Sequence, residues 1–599
     1  MDFYGFYTGE EFEAYNYLGA HCYEGGAVFR TFAPAAQRIS VIGEWNGWEE
    51  TPMHKVYDGS FWECEVKGAK SGQMYKYRIY KRDGSCTDHC DPYGYFAELR
   101  PNTASRLYDM TKFNFTDKKW LSKRGGFLNK PLNIYELHFG SWKKPSDGAE
   151  AWYSYEELAE LLIPYLIEHG YNYVELMPLN EYPCDESWGY QATGFFSATA
   201  RYGTPDGLRE FVNRCHENGI GVIMDFVPVH FAVDGYALAK YDGTALYEYP
   251  NNDVGNSEWG SCNFMHSRGE VRSFLQSSAY FWLKEFHFDG LRCDAVSNLI
   301  YWQGNPARGV NNMTVGFIKN MNGGLKQRLP DIMLIAEDSS SYDGVTRAVR
   351  DGGLGFDFKW DLGWMNDTLD YFRKSPAERV QNYNMLTFSM MYYYNERYIL
   401  PLSHDEVVHG KAAVIQKMNG DYDVKFPQAR AMYLYMLCHP GKKLNFMGNE
   451  FAQFREWDEK REQDWDILKY PNHDAFHHYI TELNKIYLEN PALYAEDFDR
   501  NGFEWLDCNN PQNSVYAFLR RGGEQTLFAV FNFSDRPVEY SFDLRGAASI
   551  TPIINSDEQR FGGNSESALL PEIRDGKAFL TLPPFSGNLF NTDPQLKNV

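Results

Sequence analysis

Eight apolar runs separated by helical stretches constrain the fold of this 599-residue chain more than any other feature. The runs lie between about 131 and 450, and amphipathic stretches such as 155–170 and 204–219 lie between them. Such alternation is typical of parallel strands joined by helices, and no glycine-rich phosphate loop follows the first run, which argues against a doubly wound sheet. The pattern therefore predicts an α/β fold, a (β/α)8 or TIM barrel. Its strands are predicted at 133–138, 173–177, 222–226, 290–293, 333–336, 356–359, 398–402 and 444–447.

The segments on either side of these repeats alternate with the period of β-strands. Runs at 28–32, 39–42, 61–66 and 74–80 are separated by Gly, Asn and Pro turns, which predicts an N-terminal β-sandwich. Runs at 515–519, 526–531 and 578–582 predict a C-terminal antiparallel β domain. We therefore predict three domains, at residues 1–110, 111–494 and 495–599.

Composition excludes several classes of function. The net charge of −23 repels phosphate backbones, so nucleic acid is not an expected partner. No apolar run is long enough to span a membrane, and the start of the chain has no secretory leader pattern. The ten cysteines show no disulfide spacing, and the closest pair, Cys86 and Cys90, has no second pair to complete a metal site. We expect a cytoplasmic monomer without metal or cofactor.

Aromatic residues make up 17% of the chain, an unusually large share. Core packing explains most of them, but exposed rings also offer flat faces to sugars. In the loop from Gly43 to Trp48, Trp45 and Trp48 stand beside a turn, and the sequence leaves open whether they are buried anchors or a glucan-stacking face.

Acids and histidines recur where the predicted strands end. Acids at the C-terminal ends of barrel strands are the usual arrangement of catalytic groups in this fold. Cleavage of a glycosidic bond needs one carboxylic acid to protonate the leaving oxygen and a second carboxylate on the other face of the sugar. The set therefore points to chemistry on a sugar acetal. The segments are Asp225-Phe-Val-Pro-Val-His230, Gly290-Leu-Arg-Cys-Asp294, Ile335-Ala-Glu337-Asp-Ser339 and Leu402-Ser-His404-Asp405-Glu-Val407.

Asp294 and Glu337 end consecutive predicted strands, so a barrel brings them to one rim. Arg292 precedes Asp294 by two residues and projects to the same side, where its charge would keep that carboxylate ionised. Asp405 would bind sugar hydroxyls and distort the ring. Taken singly, each acid is more often a helix cap and each histidine a structural one. Their recurrence at successive strand ends favours a site.

The four segments above resemble the signature regions of glycoside hydrolase family 13, the α-amylase superfamily. An upstream part, with Phe32-Ala-Pro, the Gly43–Trp48 loop and Asp91-Pro-Tyr, resembles a family 48 carbohydrate-binding module. Five segments narrow the resemblance: Ile134-Tyr-Glu-Leu-His-Phe-Gly-Ser-Trp142, Ser187-Trp-Gly-Tyr-Gln191, Tyr202-Gly-Thr-Pro205, Leu402-Ser-His-Asp-Glu-Val-Val-His-Gly-Lys411 and Met447-Gly-Asn-Glu-Phe451. Within the superfamily, they are similar to segments of the branching enzymes of α-1,4-glucans.

The resemblance implies a retaining transferase that cleaves an α-1,4-glucan and makes α-1,6 branches of glycogen. Two alternatives stay open: a hydrolase of the same family, such as an isoamylase-type debranching enzyme or an amylase, and a non-catalytic glucan-binding protein. The implied catalytic residues are Asp294 as nucleophile, Glu337 as general acid/base and Asp405 as transition-state stabiliser. The implied substrate-binding residues are Tyr190, Asp225, His230, Arg292 and His404.

Overall fold

The computed structural model describes residues 1–146, 148, 150–544 and 547–594. Residues 545–546 and 595–599 of the predicted C-terminal domain therefore lie outside the described residues. Two compact units divide the chain. The first contains Met1–Gly125, His138–Ile163 and Glu175–Asp357, and the second contains Gly126–Leu137, Pro164–Val174 and Phe358–Val599.

The first 110 residues form two antiparallel sheets, with the order β1-β2-β6-β5 in the smaller one. Strand β7 alternates between buried and half-buried residues, as a strand with one face on a core should. The elements are α1 Phe3–Thr8, β1 Gly19–Tyr23, β2 Gly26–Phe32, β3 Arg38–Gly43, β4 Thr51–Pro52, β5 His54–Val56, β6 Phe61–Lys67, β7 Met74–Tyr80, β8 Cys86–His89, β9 Phe96–Ala97, β10 Ser105–Arg106 and, after them, α2 Lys118–Leu121. The predicted N-terminal β-sandwich is confirmed.

The barrel strands are β11 Asn133–Leu137, β12 Tyr173–Leu176, β15 Gly221–Phe226, β18 Gly290–Cys293, β19 Met333–Ala336, β20 Phe358–Trp360, β21 Tyr398–Leu402 and β22 Lys442–Phe446. They close a barrel in that order, which confirms the predicted fold. Every residue of β11, β15 and β18 is buried, because the strands of a helix-covered barrel have no face in water. Four short strands lie in the connections: β13 Asn180–Glu181, β14 Gly194–Ala198, β16 His230–Phe231 and β17 Cys262–Asn263.

The second N-terminal sheet continues into one of these connections. Its order is β13-β14-β9-β10-β7-β3-β4, and β14 pairs with β9 at Ala198 and Phe96. Cys90 N–H also donates to Tyr236 O at 2.8 Å. Main-chain hydrogen bonds thus join the N-terminal sheet to connections of the barrel.

Two barrel strands begin two residues away from their predicted starts, and β15 begins one residue early, at Gly221. The sixth was predicted from Phe356, but Asp357 instead binds β19: its N–H donates to Leu334 O at 2.7 Å, and its carboxylate accepts from Leu334 N–H at 2.8 Å. The eighth was predicted from Leu444 but begins at Lys442. Its first two residues, Lys442 and Lys443, are charged, so they did not belong to the apolar run. Their ammonium groups donate to carbonyl oxygens, and Lys443 Nζ, for example, lies 2.6 Å from His439 O.

The helices are α3 Tyr155–Glu168, α4 Pro205–Glu217, α5 Asn252–Gly255, α6 Gly269–Glu285, α7 Val296–Ile300, α8 Asn312–Arg328, α9 Leu362–Arg373, α10 Pro376–Gln381, α11 Met385–Tyr392, α12 Tyr422–Cys438 and α13 Pro471–Glu489. Helix α4 shows why they begin where they do: the Thr204 side chain accepts from Gly207 N–H, and Pro205 occupies the first turn. Within the described residues, no helix is long and apolar enough to cross a membrane.

The C-terminal part consists of a five-stranded and a three-stranded antiparallel sheet, with the orders β23-β24-β25-β30-β27 and β26-β29-β28. Their shared core includes Phe528 and Phe542, whose rings stack at 3.6 Å. The predicted antiparallel domain is confirmed, although only three of its strands were predicted. The strands are β23 Phe503–Asn510, β24 Val515–Gly522, β25 Gln525–Asn532, β26 Val538–Asp543, β27 Ala547–Asn555, β28 Glu572–Arg574, β29 Lys577–Leu582 and β30 Ser586–Pro594.

A buried ion cluster ties β22 to β24. Asp497 lies 3.0 Å from Lys442 Nζ and 2.7 Å from Arg520 Nη2, and all three side chains are shielded from water. Burial alone would raise the pKa of Asp497, but the two cations hold it below its ordinary value. The cluster is stable only as a complete set, because a lone buried charge is costly.

We predict that Asp497→Asn lowers the unfolding free energy by about 3–5 kcal/mol, since it leaves two buried cations without a counter-charge. Thermal unfolding of the variant should show a clear fall in Tm. The control is Asp499→Asn, because Asp499 is exposed and caps Asn501 N–H, a role that asparagine fills equally well. An unchanged Tm for Asp497→Asn would show that the cluster contributes little.

Candidate active site

Three neighbouring strands of the first unit bring Asp294 and Glu337 to the same level. In the parallel register Phe226 is opposite Cys293, and Cys293 is opposite Ala336. The ladder continues by one step, because Asp294 N–H donates to Phe226 O and Glu337 N–H donates to Cys293 O, both at 3.0 Å. The two acids thus leave adjacent strands, whose main chains lie about 4.8 Å apart.

The turn after Asp294 is bonded to Glu337. Ala295 N–H donates to Glu337 Oε2 at 2.8 Å, and Val296 N–H donates to Glu337 O at 2.8 Å. Ala295 adopts a left-handed conformation, with φ 47°. The carboxylate of Glu337 therefore supports the strained residue that follows Asp294.

A single buried guanidinium bridges two carboxylates in this unit. Arg292 Nη1 lies 2.9 Å from Asp294 Oδ1 and 2.9 Å from Asp225 Oδ2, with Arg292 and Asp225 both fully buried. Asp225 Oδ2 also accepts from Tyr190 Oη–H at 2.5 Å. Burial alone would lower the pKa of Arg292, but the charge of Asp225, followed by Tyr190 and Asp294, raises it well above its ordinary value. The structure thus brings four of the predicted residues together.

The turn that carries Tyr190 is anchored by Asp185. The Asp185 carboxylate accepts from Arg100 Nε at 2.8 Å and from Arg201 Nη2 at 2.7 Å. Within the turn, Tyr190 N–H donates to Ser187 O at 2.8 Å. The position of the Tyr190 ring therefore depends on charged residues outside the barrel strands.

His230 lies in β16 beside an aromatic residue that the sequence reasoning missed. Its ring is buried, and the Trp259 ring lies 5.1 Å away with 43% of that residue exposed. Burial lowers the pKa of His230 to about 4, so the ring is neutral near pH 7. Its Nδ1 atom is buried and has no hydrogen-bond partner among the described residues. Trp259 lies in the connection after β15, which is rich in Tyr, Gly and Asn. This composition is the sequence signal that could have indicated it.

In the second unit, His404 and Asp405 follow β21 and are held by a residue of β11. Glu136 is fully buried, and its Oε2 accepts from His404 N–H at 3.0 Å, while Oε1 lies 2.5 Å from His404 Nδ1. His404 Nε2 lies 3.5 Å from Asp405 Oδ1, and the Asp405 side chain is half exposed. Glu136 belonged to a family motif in the sequence, but no role was predicted for it.

The loop after Asp405 is fixed from two sides. Lys417, which is buried, donates to the carbonyl oxygens of Glu406, Lys411 and Ala412. The Glu456 carboxylate accepts from Gly410 N–H at 3.0 Å and from Ala412 N–H at 2.7 Å. These clamps hold Ala412 in a left-handed conformation, with φ 69°.

Three parts of the chain match known sequence families. Residues 17–94 match Carbohydrate-binding module 48 (Isoamylase N-terminal domain), residues 160–244 match the Alpha amylase catalytic domain, and residues 505–591 match the Alpha amylase C-terminal all-beta domain. Among solved structures, the pullulanase from Bacillus acidopullulyticus superimposes with a TM-score of 0.72 and 16% identity, covering 96% of this chain and 75% of that one. The GBS pullulanase SAP in complex with maltotetraose has a TM-score of 0.72 and 14% identity, covering 96% and 87%. These two likenesses concern the fold alone.

Curated relatives match the chain over nearly its whole length. The 1,4-alpha-glucan branching enzyme GlgB of Fusobacterium nucleatum is 46% identical, covering 94% of this chain and 93% of the relative. The enzyme of the same name from Geobacillus stearothermophilus is 42% identical, covering 98% and 94%. Together with the barrel, its flanking β domains and the acids at its strand ends, this likeness shows that the chain belongs to the GlgB family of 1,4-alpha-glucan branching enzymes.

Proposed function

We propose that the chain cleaves α-1,4-glucans and transfers the fragment to a glucose 6-hydroxyl, making the α-1,6 branches of glycogen. The observation that carries this proposal is the 46% identity to a curated branching enzyme over 94% of this chain. The implied catalytic acids Asp294, Glu337 and Asp405 are all present. The geometry supports a retaining double displacement, because the two acids leave adjacent barrel strands at the same level, and retaining enzymes need closely spaced carboxyl groups.

Asp294 is the nucleophile in this proposal. The contact with Arg292 Nη1 at 2.9 Å favours the ionised carboxylate and orients one oxygen. The other oxygen attacks the anomeric carbon while the bond to the leaving glucan oxygen breaks, and a covalent glycosyl-Asp294 ester results. Asp225 contacts the same Arg292 nitrogen at 2.9 Å, so the buried guanidinium has two carboxylates as counter-charges.

Glu337 is the general acid/base. It gives its proton to the leaving oxygen in the first step and takes a proton from the incoming 6-hydroxyl in the second, when that oxygen displaces Asp294. Its carboxylate accepts from Ala295 N–H, the residue next to the nucleophile. Movement of either acid is thereby coupled to the same turn.

The other residues bind the sugar. Tyr190 stacks on the glucose in the cleaved subsite, with its ring oriented by the hydrogen bond that its hydroxyl donates to Asp225. His230, which is neutral near pH 7, binds a hydroxyl of the sugar. Asp405 stabilises the developing positive charge, and His404 binds hydroxyls of the sugar.

The partner implied by this function is a neutral α-glucan, which the acidic surface neither attracts nor repels. We propose that the enzyme is a monomer. We also propose that it works in the cytoplasm, where glucan stores are made. Sedimentation of the purified chain tests the monomer directly.

The function is tested with amylose as the only substrate. A glucan chain bound beside the glycosyl-Asp294 ester presents its hydroxyl at a high effective concentration, so transfer should outcompete water. We expect α-1,6 signals to grow in proton NMR spectra while reducing ends rise only slightly. Steady growth of reducing ends without α-1,6 signals would identify a hydrolase instead.

The acid role of Glu337 is tested with an activated substrate. Glu337→Gln should lose about 10²- to 10⁴-fold in activity on amylose, because the leaving oxygen is no longer protonated. A maltosyl fluoride needs no protonation, so the variant should still form the covalent ester, which mass spectrometry detects. Asp294→Asn is the matched control and should form no ester from either substrate. A fluoride reaction as impaired as the amylose reaction would point to a different acid.

The burial of His230 predicts a dependence of stability on pH. Below the ordinary histidine pKa of about 6.5 the unfolded chain takes up a proton, whereas the folded chain does so only near pH 4. Stability is therefore lost as the pH falls between these values. Relative to wild type, His230→Gln should gain about 2–3 kcal/mol between pH 7.5 and 4.5. Tm curves against pH that run parallel for both proteins would contradict a buried neutral His230.

A further inference from the structure

The segment that carries Asp405 is fixed by one carboxylate from the first barrel strand. In the sheet order β21-β22-β11, Glu136 of β11 is two strands from β21, the strand that His404 follows. Its side chain reaches past β22 to His404 inside the second unit. We propose that Glu136 is the positioning residue of the reaction's His404–Asp405 pair, an inference that rests on the proposed function.

The two oxygens of Glu136 have separate tasks. Oε2 accepts from the main-chain N–H of His404 at 3.0 Å, which fixes the backbone one residue before Asp405. Oε1 lies 2.5 Å from His404 Nδ1, which fixes the orientation of the ring. One buried group therefore sets both the main chain and the side chain at this point.

The contact also decides which ring nitrogen carries a proton. With Glu136 Oε1 as the acceptor, Nδ1 of His404 is the donor and Nε2 is directed away from Glu136. Nε2 lies 3.5 Å from Asp405 Oδ1. Glu136, the His404 ring and Asp405 thus follow one another as carboxylate, imidazole and carboxylate. This arrangement resembles the one in which a buried acid orients a catalytic histidine in hydrolases.

The location of Glu136 argues against a role in solubility or in surface charge. The residue is fully buried in a strand whose five residues are all buried. An unpartnered carboxylate there would destabilise the fold, so an acid at this position is tolerated because His404 supplies two donors. An apolar residue would fill the same space but would leave His404 N–H and Nδ1–H without these acceptors.

A double-mutant cycle tests the proposal in the full-length enzyme. The variants are Glu136→Gln, His404→Ala and the pair, and kcat and KM are measured for branching of amylose alongside wild type. A glutamine amide cannot accept from both donors of His404, so Glu136→Gln should lower kcat by about tenfold or more, with a smaller change in KM. If Glu136 acts through His404, the pair should be no slower than His404→Ala alone, within about a factor of two to three.

Losses that multiply in the pair, or a Glu136→Gln enzyme with wild-type kcat, would overturn the proposal. Asp497→Asn is the control for loss of stability, because it removes a buried acid of the same unit without touching His404. It should keep its kcat below its unfolding temperature.

If Glu136→Gln fails to fold, Glu136→Asp replaces it, since that variant keeps the charge and withdraws it by one methylene. Its loss of kcat should vanish in the His404→Ala background, and a loss that persists there overturns the proposal. Wild-type branching is measured in every run, so failure of the proposed function shows as absent branching and is distinct from failure of the cycle.

Discussion

A carboxylate stays charged in a dry barrel end only if a fixed positive charge lies beside it, and Arg292 supplies that charge in the first unit. Its guanidinium is buried and contacts Asp225 and Asp294 at 2.9 Å each. Tyr190 is bonded to the same arrangement through Asp225. The proposed nucleophile Asp294, the ring of Tyr190 that is proposed to stack on the sugar, and Asp225 are thus connected through one side chain.

In the second unit, hydrogen bonds to the main chain fix the segment that carries Asp405. The segment from His404 to Ala412 contains residues that prefer other conformations, and strained backbone persists only where its surroundings determine it. Glu136 fixes the start of the segment, and Lys417 and Glu456 fix its end with carbonyl and amide contacts. Burial lowers the pKa of Lys417 to about 8, so this clamp is formed at an electrostatic cost. A segment stabilised in this way resembles a rigid part of the site more than a mobile loop.

The sequence pattern predicted the barrel well because its strands are buried on both sides and are therefore continuous apolar runs. It failed where polar residues belong to a strand or end one: Lys442 and Lys443 begin β22, and Asp357 binds β19 instead of starting β20. Strand β26 of the C-terminal part was not predicted, although its residues alternate between apolar and polar and its burial follows that alternation. The contacts of Glu136 with His404 join residues 268 positions apart, so no local pattern can contain them. Trp259 was hidden among many aromatic residues, most of which are core.

The pairing of β9 with β14 has a mechanical consequence for the part of the chain that matches a carbohydrate-binding module. A module on a flexible linker samples many positions and acts by raising local concentration, with a reach set by linker length. Here Phe96, which follows the matched residues 17–94 and shares a sheet with their strands β3 and β7, pairs with Ala198, and Arg100 holds the turn of Tyr190 through Asp185. Such a module behaves as a fixed arm. A polysaccharide bound to it would reach the Tyr190 turn after a constant number of sugar units.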